Sequence, residues 1–475
     1  MTAGSVPRVV FDGYRPRPRP GADTLQPIDP MQRRVIAVDD DPTGTQTTAG
    51  AALITAWEPA DVDWLLAQPG PIGFVLTNSR AHGVERAVAV NREVGRRLRA
   101  GAERAGLAID VVSRSDSTLR GHFPHEPRAL AEGLGLERPT WVVMPFFAEG
   151  GRVTVGGVHY VLTGDRYVPA GHTPFASDHS FGYTQSHLPA WIEEKTAGAV
   201  TSRDVTVIDI DLVRSGVDRV AAALRQVRPG THVVIDAIEP IDVGVVGAAF
   251  AAVRRDRGPW LFRSAAGLVP ALAGMGAADP VPMPVIASPA EGGLVVVGSH
   301  VPLSTRQLHR LLAADSLGLE SVEADVDALA HPDRAEAEIG RLTTAATASI
   351  SSGRTAVVHT SRTVRTDLGP DEGLARSRAV AEGLCAMVAG LVTGPAYLVA
   401  KGGITAHTLA TDGLGARRAS VVGPIIAGVP MWGLGPDSRH PGLPYVVFPG
   451  NVGDDHALAE VVAVAEQARR HPRSP

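Results

Sequence analysis

Residues 35–47 read Val-Ile-Ala-Val-Asp-Asp-Asp-Pro-Thr-Gly-Thr-Gln-Thr, an apolar run that passes directly into acidic and hydroxyl side chains. Strands buried on both faces of a parallel sheet read as short, continuous apolar runs. In open α/β sheets, ligands bind beyond the carboxyl ends of such strands. The stretch therefore predicts a strand of an α/β sheet with a binding loop at its end.

Similar apolar runs recur along the chain and are separated by helix-like segments such as residues 83–104 and 335–351. We predict strands at residues 35–38, 74–77, 109–112, 141–144, 205–210, 233–236, 294–297, 356–359, 397–400 and 446–448. This alternation predicts two α/β domains with largely parallel sheets flanked by helices.

Proline-rich stretches mark the expected boundaries of these domains. Residues 279–293 carry several prolines and close on a Gly pair, as linkers do. Residues 1–32 interleave Pro and Arg, and we expect them to form a flexible leader. The domains would then span residues 33–278 and 294–470, with the active site in the cleft between them.

Composition narrows the classes of partner. Among 475 residues, Lys+Arg number 45 and Asp+Glu 50, so the net charge of −5 gives no broad basic field for nucleic acid or anionic lipid. The lone Cys385 excludes an intrachain disulfide and favours the cytoplasm. No apolar run is long enough to span a bilayer. The composition is compatible with either a monomer or a homo-oligomer.

Two further predicted strands are followed by hydroxyl-rich runs with arginine, at residues 77–80 and 113–122. Arg can grip a carboxylate through two parallel hydrogen bonds, and Ser, Thr and Asp suit sugar hydroxyls. Together with residues 39–47, these runs indicate a pocket for a small polyhydroxy acid. The alternative is a set of turns and caps, with Asp41 as a helix cap and the arginines in surface ion pairs.

Two other polar features of the first half, a His/Glu cluster and a long polar stretch, each allow two interpretations. His122, His125 and Glu126 lack the His-Glu-x-x-His order of a catalytic zinc helix, which disfavours zinc. Residues 173–195 are polar with little periodicity, and so long a loop suggests a functional lid. Its alternative is an interdomain or oligomer contact.

In the second half, three predicted strands run into Gly and hydroxyl residues, at residues 298–304, 401–408 and 449–455. Glycines let the backbone approach phosphate oxygens, and helix N-termini offer free N–H groups. Neither a P-loop nor a Rossmann fingerprint occurs in its expected setting, and the serine-hydrolase elbow is also absent. Lys401 is the best cation for phosphate, with a snorkelling surface lysine as the alternative.

Six motifs, at residues 39–44, 77–80, 115–121, 401–406, 423–430 and 450–453, occur in an order that resembles the four-carbon acid sugar kinases. The resemblance spans about residues 33–468. It implies that the N-terminal domain binds a sugar acid and the C-terminal domain binds ATP with Mg²⁺. The implied reaction is phosphorylation of a terminal hydroxyl of threonate, erythronate or 3-oxo-tetronate.

The resemblance and the motifs give site residues in three classes. The candidates for accepting or positioning the hydroxyl proton are Asp39, Asp40 and Asp116. The substrate-binding candidates are Thr43, Gly44, Ser79, Arg80, Ser117 and Arg120, with both arginines orienting the carboxylate. The nucleotide-binding candidates are Gly298, Ser299, Lys401, Gly402, Gly403, Thr405, Gly450, Asn451 and Gly453.

Two positions depart from the family pattern and suggest a divergent subgroup. Ile404 stands where an acidic residue is usual, and Phe448-Pro449 replace a Lys-Ser pair. The missing groups could have held Mg²⁺ or neutralised phosphate charge. These departures keep two alternatives open: an isomerase or epimerase of sugar acids, and a non-catalytic sensor of nucleotide or sugar acid.

Overall fold

The chain folds into two compact units, Met1–Ala278 and Asp279–Pro475, which we call the first and second domains. The computed structural model describes residues 6–7, 25–284, 286, 290–299, 301–362 and 370–471. Part of the predicted linker packs into the second domain. The N–H of Val281 donates to the Pro424 carbonyl at 2.8 Å, and Met283 and Ile286 are buried in its core.

The first domain contains a parallel sheet and a smaller antiparallel one. The parallel sheet has the order β10-β11-β6-β12-β5-β2-β4-β3, and the antiparallel sheet has the order β1-β9-β8-β7. The strands are β1 (Val6–Pro7), β2 (Arg33–Asp39), β3 (Ala51–Ile54), β4 (Ile72–Leu76), β5 (Ala108–Arg114), β6 (Thr140–Met144), β7 (Arg152–Val155), β8 (Val158–Thr163), β9 (Arg166–Pro169), β10 (Thr206–Ile208), β11 (His232–Ile235) and β12 (Trp260–Ser264).

Strand β2 lies where the chain changes sides of the parallel sheet. Strands β3 and β4 lie on one side of β2, and β5, β12 and β6 lie on the other. Ligands of open α/β sheets bind at such a switch point, outside the carboxyl ends of the strands. Asp39 ends β2 and pairs in register with Leu76 of β4 and Arg114 of β5. The three loops that follow these strands therefore start side by side.

Helices cover the parallel sheet of the first domain. They are α1 (Pro59–Ala67), α2 (Val84–Ala105), α3 (His125–Leu134), α4 (Leu188–Lys195), α5 (Ile210–Arg214), α6 (Val217–Gln226), α7 (Pro240–Val253) and α8 (Leu268–Leu272). Helices α2 and α3 pack closely because Gly133 faces α2, where an added Cβ would lie 2.2 Å from the Arg92 carbonyl oxygen.

Three segments differ from their sequence expectation. The predicted strand 205–210 ends at Ile208, because the Asp209 side chain caps α5 by accepting from the Leu212 N–H at 2.8 Å. The polar stretch 173–195 ends in helix α4 rather than remaining irregular throughout. Residues 25–32 of the expected leader lie against the first domain, where the Ile28 N–H donates to the Ala273 carbonyl. Residues 1–5 and 8–24 of the leader lie outside the described residues.

The second domain combines parallel strands with an antiparallel hairpin. Its sheet has the order β17-β18-β19-β16-β13-β15-β14, in which β18 is antiparallel to both neighbours and all other neighbours are parallel. The strands are β13 (Leu294–Val297), β14 (Leu319–Ala324), β15 (Thr355–Thr360), β16 (Leu398–Lys401), β17 (Arg418–Ile426), β18 (Val429–Leu434) and β19 (Pro444–Phe448).

The helices of the second domain are α9 (Pro302–Leu312), α10 (Val326–Leu329), α11 (Pro332–Ser351), α12 (Pro370–Ala389), α13 (Gly403–Thr408) and α14 (Ala457–Arg470). Both domains thus confirm the predicted α/β class, with mostly parallel sheets flanked by helices. Across the described parts of the chain, no helix has the length and apolar character needed to cross a membrane.

Candidate functional site

The loops after β2 and β4 meet through an ion pair between Arg80 and the acidic residues Asp40 and Asp41. Arg80 donates from Nε to Asp40 Oδ2 at 3.2 Å and from Nη2 to Asp40 Oδ1, and its Nη1 lies 3.4 Å from Asp41. Burial alone would lower the pKa of Arg80, but Asp40 and Asp41 raise it well above its usual value. All three guanidinium nitrogens are therefore engaged by protein carboxylates. In this geometry Arg80 joins two loops and presents no free fork.

Asp39 is almost fully buried at the end of β2. Its Oδ1 accepts from Arg114 Nη1 at 3.0 Å and from the Asp41 N–H at 3.2 Å. Its Oδ2 faces Gly44, where an added Cβ would lie 1.4 Å away, so a larger residue at position 44 would displace the Asp39 carboxylate. Burial raises the pKa of Asp39 to about 7, although Arg114 opposes the shift. A carboxyl group with this pKa can exchange a proton near neutral pH.

The first acidic loop also contains a cap. Asp41 precedes a short 3-10 helix (Pro42–Thr45) and accepts from the N–H of Thr43 at 2.9 Å and from its hydroxyl at 2.5 Å. The capping alternative therefore holds for Asp41. Ser79 is fully buried, and its Oγ lies 2.9 Å from Thr77 Oγ1.

Asp116 and Arg120 form a second ion pair, in the loop after β5. Arg120 Nε donates to Asp116 Oδ2 at 2.7 Å, and Thr118 donates to the same oxygen. Burial would raise the pKa of Asp116, but Arg120 and Arg80 hold it well below its usual range. Arg120 remains half-buried, and its Nη1 lies 3.6 Å from Asp178. The Ser117 carbonyl lies 2.8 Å from His159 Nε2, which fixes this loop from beneath.

Arg263 is a site residue that the sequence analysis missed. It lies within β12, and its Nη1 donates to the Asp116 carbonyl while its Nη2 donates to Ser115 Oγ and the Arg120 carbonyl, at 3.2–3.3 Å. It thereby supports the whole Asp116–Arg120 loop. In the sequence, Arg263 interrupts the apolar run Trp260–Ser264, which was not predicted as a strand. An arginine within a buried strand would have marked it as a candidate.

The stretch 173–187 lies over this loop. The Tyr183 hydroxyl donates to the Thr118 carbonyl at 2.6 Å, and the Phe175 ring centroid lies 5.1 Å from the Arg120 guanidinium carbon. Asp178 adds its contact with Arg120. These contacts place the stretch against the candidate substrate loop, as a lid would be placed.

His122 and Glu126, two of the residues considered for zinc, have protein partners. His122 Nε2 lies 2.9 Å from the His82 carbonyl oxygen, and its ring packs edge-on against Phe181. Glu126 is buried, its Oε1 lies 3.5 Å from Asn91 Nδ2, and burial raises its pKa to about 7. No group of His, Cys, Asp or Glu among the described residues has the arrangement of a metal site. The described carboxylates thus do not form a ready site for Mg²⁺.

The predicted nucleotide turns converge in the second domain. They follow β13, β16 and β19, which are neighbours in the sheet. Ser304 Oγ lies 3.2 Å from both Ser299 Oγ and the Gly450 carbonyl oxygen. An added Cβ at Gly298 would lie 2.5 Å from Thr405 Oγ1. These contacts bring the three turns together, each just before a helix whose N-terminal N–H groups suit phosphate binding.

The other predicted residues of these turns have different surroundings. Gly402 has φ +114° and precedes α13, which begins at Gly403. Asn451 is exposed, whereas Gly453, at φ +79°, packs against Ala457 at the start of α14. Gly453 thus serves the entry into a helix. Ile404, at the unusual position, is 61% exposed.

Lys401 has no exposed surface. Its Nζ donates to the Pro449 carbonyl at 2.6 Å and lies 3.9 Å from the centre of the Phe448 ring. Burial lowers the pKa of Lys401 to about 7. The side chain supports the turn after β19 from inside the protein. It therefore differs both from the expected phosphate-facing cation and from a snorkelling surface lysine.

Arg362 is the second missed residue. It follows β15 and donates from Nη1 to the Ser299 carbonyl at 2.7 Å and from Nε to the Thr360 carbonyl at 2.9 Å. It thus brings a guanidinium to the turn after β13. The sequence signal was its place just beyond a predicted strand, although no glycine there marked a turn.

Comparison with known proteins agrees with this division of the chain. A family model described as a sugar-binding N-terminal domain matches residues 35–272, and one described as a nucleotide-binding C-terminal domain matches residues 294–458. No curated protein matches the chain.

Two solved structures resemble the whole fold. A Salmonella typhimurium LT2 protein named a tRNA synthase is 17% identical, with 91% of this chain and 99% of that chain covered and a TM-score of 0.68. A Haemophilus influenzae protein from a family of unknown function is 18% identical, with coverage of 90% and 99% and a TM-score of 0.63. At these identities the likeness shows the fold alone.

Proposed function

Because the chain belongs to the four-carbon acid sugar kinase family, we propose that it transfers the terminal phosphate of ATP to a terminal hydroxyl of a four-carbon sugar acid. Threonate, erythronate and 3-oxo-tetronate are the candidate acceptors. The observation that carries the proposal is the convergence of Gly298, Thr405 and Gly450 in the domain matched as nucleotide-binding. The paired Asp and Arg side chains of the sugar-binding domain support the acceptor class.

The nucleotide would bind at the turns after β13, β16 and β19. Backbone N–H groups at helix N-termini favour phosphate oxygens, and glycines let those oxygens approach. A Cβ added at Gly298 would clash with Thr405, and one added at Gly402 would crowd Ser299, so larger side chains fit poorly at both positions. Arg362 holds the Ser299 turn in place, and Lys401 supports the Pro449 turn.

Asp39 is our candidate for the proton acceptor. Asp40 already accepts hydrogen bonds from Arg80 and Ser115, and Asp116 has a lowered pKa beside Arg120. Asp39 Oδ2 receives no hydrogen bond from a described residue, and burial raises the pKa of Asp39 to about 7. In the reaction the acid's hydroxyl oxygen bonds to the γ-phosphorus, the bond to the ADP oxygen breaks, and the hydroxyl proton passes to Asp39.

Mg²⁺ would enter with the triphosphate. Mg²⁺ in phosphoryl-transfer enzymes is held largely by substrate phosphates, with few carboxylates, and neutralises their charge. The described residues show no carboxylate cluster that would bind it alone. The chain's own contribution is to position the acceptor and the phosphates, which provides most of the catalysis in such reactions.

The test is a product assay with ATP, Mg²⁺ and a panel of four-carbon acids. We expect ADP and a phosphorylated acid, detected by mass spectrometry, only when both substrates are present. Consumption of an acid without ATP would instead favour the isomerase or epimerase. ATP binding without ADP formation for any acid would favour the sensor, and a complete lack of nucleotide affinity would overturn the kinase.

A further inference from the structure

Arg152 is a buried cation with no acidic partner. It starts β7 and is 8% exposed. Its Nη1 donates to the carbonyl of Gly150, and its Nε has no hydrogen-bond partner. Among the described residues no carboxylate lies within ion-pair distance of its guanidinium. A buried, unpaired charge is destabilising, so an arginine in this state needs a counter-ion from elsewhere.

Arg152 and Arg120 approach the same aromatic ring. Their guanidinium carbons lie 5.9 Å and 5.1 Å from the centre of Phe175. Arg120 uses its Nε for Asp116, and among the described residues its terminal nitrogens have only the 3.6 Å contact to Asp178. Burial lowers the pKa of Arg152, the Asp116 charge raises it, and the nearby Arg120 charge lowers it. Two like charges held together in this way favour an anion that reaches both.

We infer that Arg152 and Arg120 form the subsite for the carboxylate of the acceptor, with Arg152 as the buried anchor. The inference rests on the proposed function. Arg80, the other arginine that the sequence placed there, is already engaged by Asp40 and Asp41. Arg263 is also buried, but it donates three hydrogen bonds to the Asp116–Arg120 loop. Arg152 has no carboxylate partner among the described residues, and beside its one bond to the Gly150 carbonyl its Nε makes no hydrogen bond.

Calorimetric titration tests the subsite in the full chain without nucleotide. The probes are threonate and erythronate as acids and erythritol as a neutral polyol of equal length. The variants are Arg152→Met and Arg152→Lys, with Arg99→Met as the control, because Arg99 is exposed and its one ion-pair partner among the described residues is Glu103. Loss of one partner of a buried ion pair costs 2 kcal/mol or more, which is about 30-fold in affinity.

We expect Arg152→Met to bind the acids about 30-fold more weakly than wild type and erythritol equally well. Arg152→Lys keeps the positive charge but lacks the planar guanidinium. Its affinity for the acids should lie between those of wild type and Arg152→Met. The unliganded Tm of Arg152→Met should equal or exceed that of wild type, because the variant removes an unpaired buried charge. If Arg152 had only a structural role, its replacement by Met would instead lower the Tm. Arg99→Met and binding of ATP alone should be unaffected.

The inference is overturned if Arg152→Met binds the acids within threefold of wild type, or if wild type binds erythritol as tightly as the acids. A nucleotide affinity that falls with Arg152→Met while acid affinity does not would assign the anion to the phosphates. If Arg152→Met does not fold, Arg152→Lys decides by the same comparison. Failure of the proposed function is distinct: wild type would bind the acids and release no ADP.

Discussion

The three candidate aspartates of the first domain differ in the hydrogen bonds that their carboxylate oxygens accept. Asp40 and Asp116 are bound to arginines that join or shape loops, whereas Asp39 keeps one oxygen without a donor among the described residues. The sequence placed all three at the carboxyl ends of strands but could not rank them. Ranking depends on burial and on which arginine faces which carboxylate, and the contacts of Asp40 with Arg80 and of Asp39 with Arg114 join residues 40 and 75 positions apart in the chain.

The pH dependence of turnover tests the role of Asp39. Because Asp39 must be ionised to accept a proton and its pKa is raised to about 7, kcat/KM should fall as the pH drops below about 7. Asp39→Asn should lower kcat by about 100-fold or more and abolish this acidic limb. Asp63→Asn, at an exposed residue paired with Arg104, is the control. An unchanged pH profile in Asp39→Asn would move the role to another group.

Residue identity was easier to predict than residue orientation. Lys401 was recognised as a cation at a strand end, but the sequence could not show that its ammonium points inward to Pro449. Arg80 was likewise expected to face a ligand, and it faces Asp40. Arg152, Arg263 and Arg362 were not identified, because each acts through contacts across the fold rather than through a local motif.

Among the elements, the glycine turns of the second domain carry the nucleotide hypothesis. Three of them follow neighbouring parallel strands, so sheet order alone brings them together. The sequence predicted these strands because buried parallel strands read as continuous apolar runs. It did not predict β3, β12, β14, the antiparallel sheet β7–β9 or the hairpin β17–β18, which are short or interrupted by polar residues, glycine or proline.

A single methyl group should distinguish a nucleotide turn from an ordinary one. In Gly298→Ala the new Cβ would lie 2.5 Å from Thr405 Oγ1, so either Thr405 or the turn must shift. Overpacking of this kind costs about 1–3 kcal/mol, and we expect ATP affinity to fall about tenfold or more while acid affinity is retained. Titration calorimetry measures both.

Gly340→Ala is the matched control for this change. Gly340 lies in α11, and an added Cβ there has no atom within 4 Å. The control should keep wild-type ATP affinity and gain up to about 1 kcal/mol of helix stability. Equal ATP affinity in both variants would remove the turn after β13 from the nucleotide site.

For the whole molecule, the two domains have different chemical character. The first presents side chains, with paired carboxylates and guanidinium groups at the ends of β2, β4 and β5. The second presents backbone, at turns where glycines leave room. The class of both domains and their order were predictable, because strand patterning and motif order are local properties of the sequence. The identity of the acid, cytoplasmic location and oligomeric state remain predictions.

Hydrogen–deuterium exchange of the full chain, with each ligand added separately, tests whether the first domain binds the acid and the second binds the nucleotide. Threonate or erythronate should slow exchange mainly in residues 39–47, 115–121 and 150–154. ATP with Mg²⁺ should slow it mainly in residues 298–305, 401–408 and 449–453. Protection by ATP chiefly in the loops of the first domain, or by the acids chiefly in the glycine turns of the second, would overturn this assignment of ligands to domains.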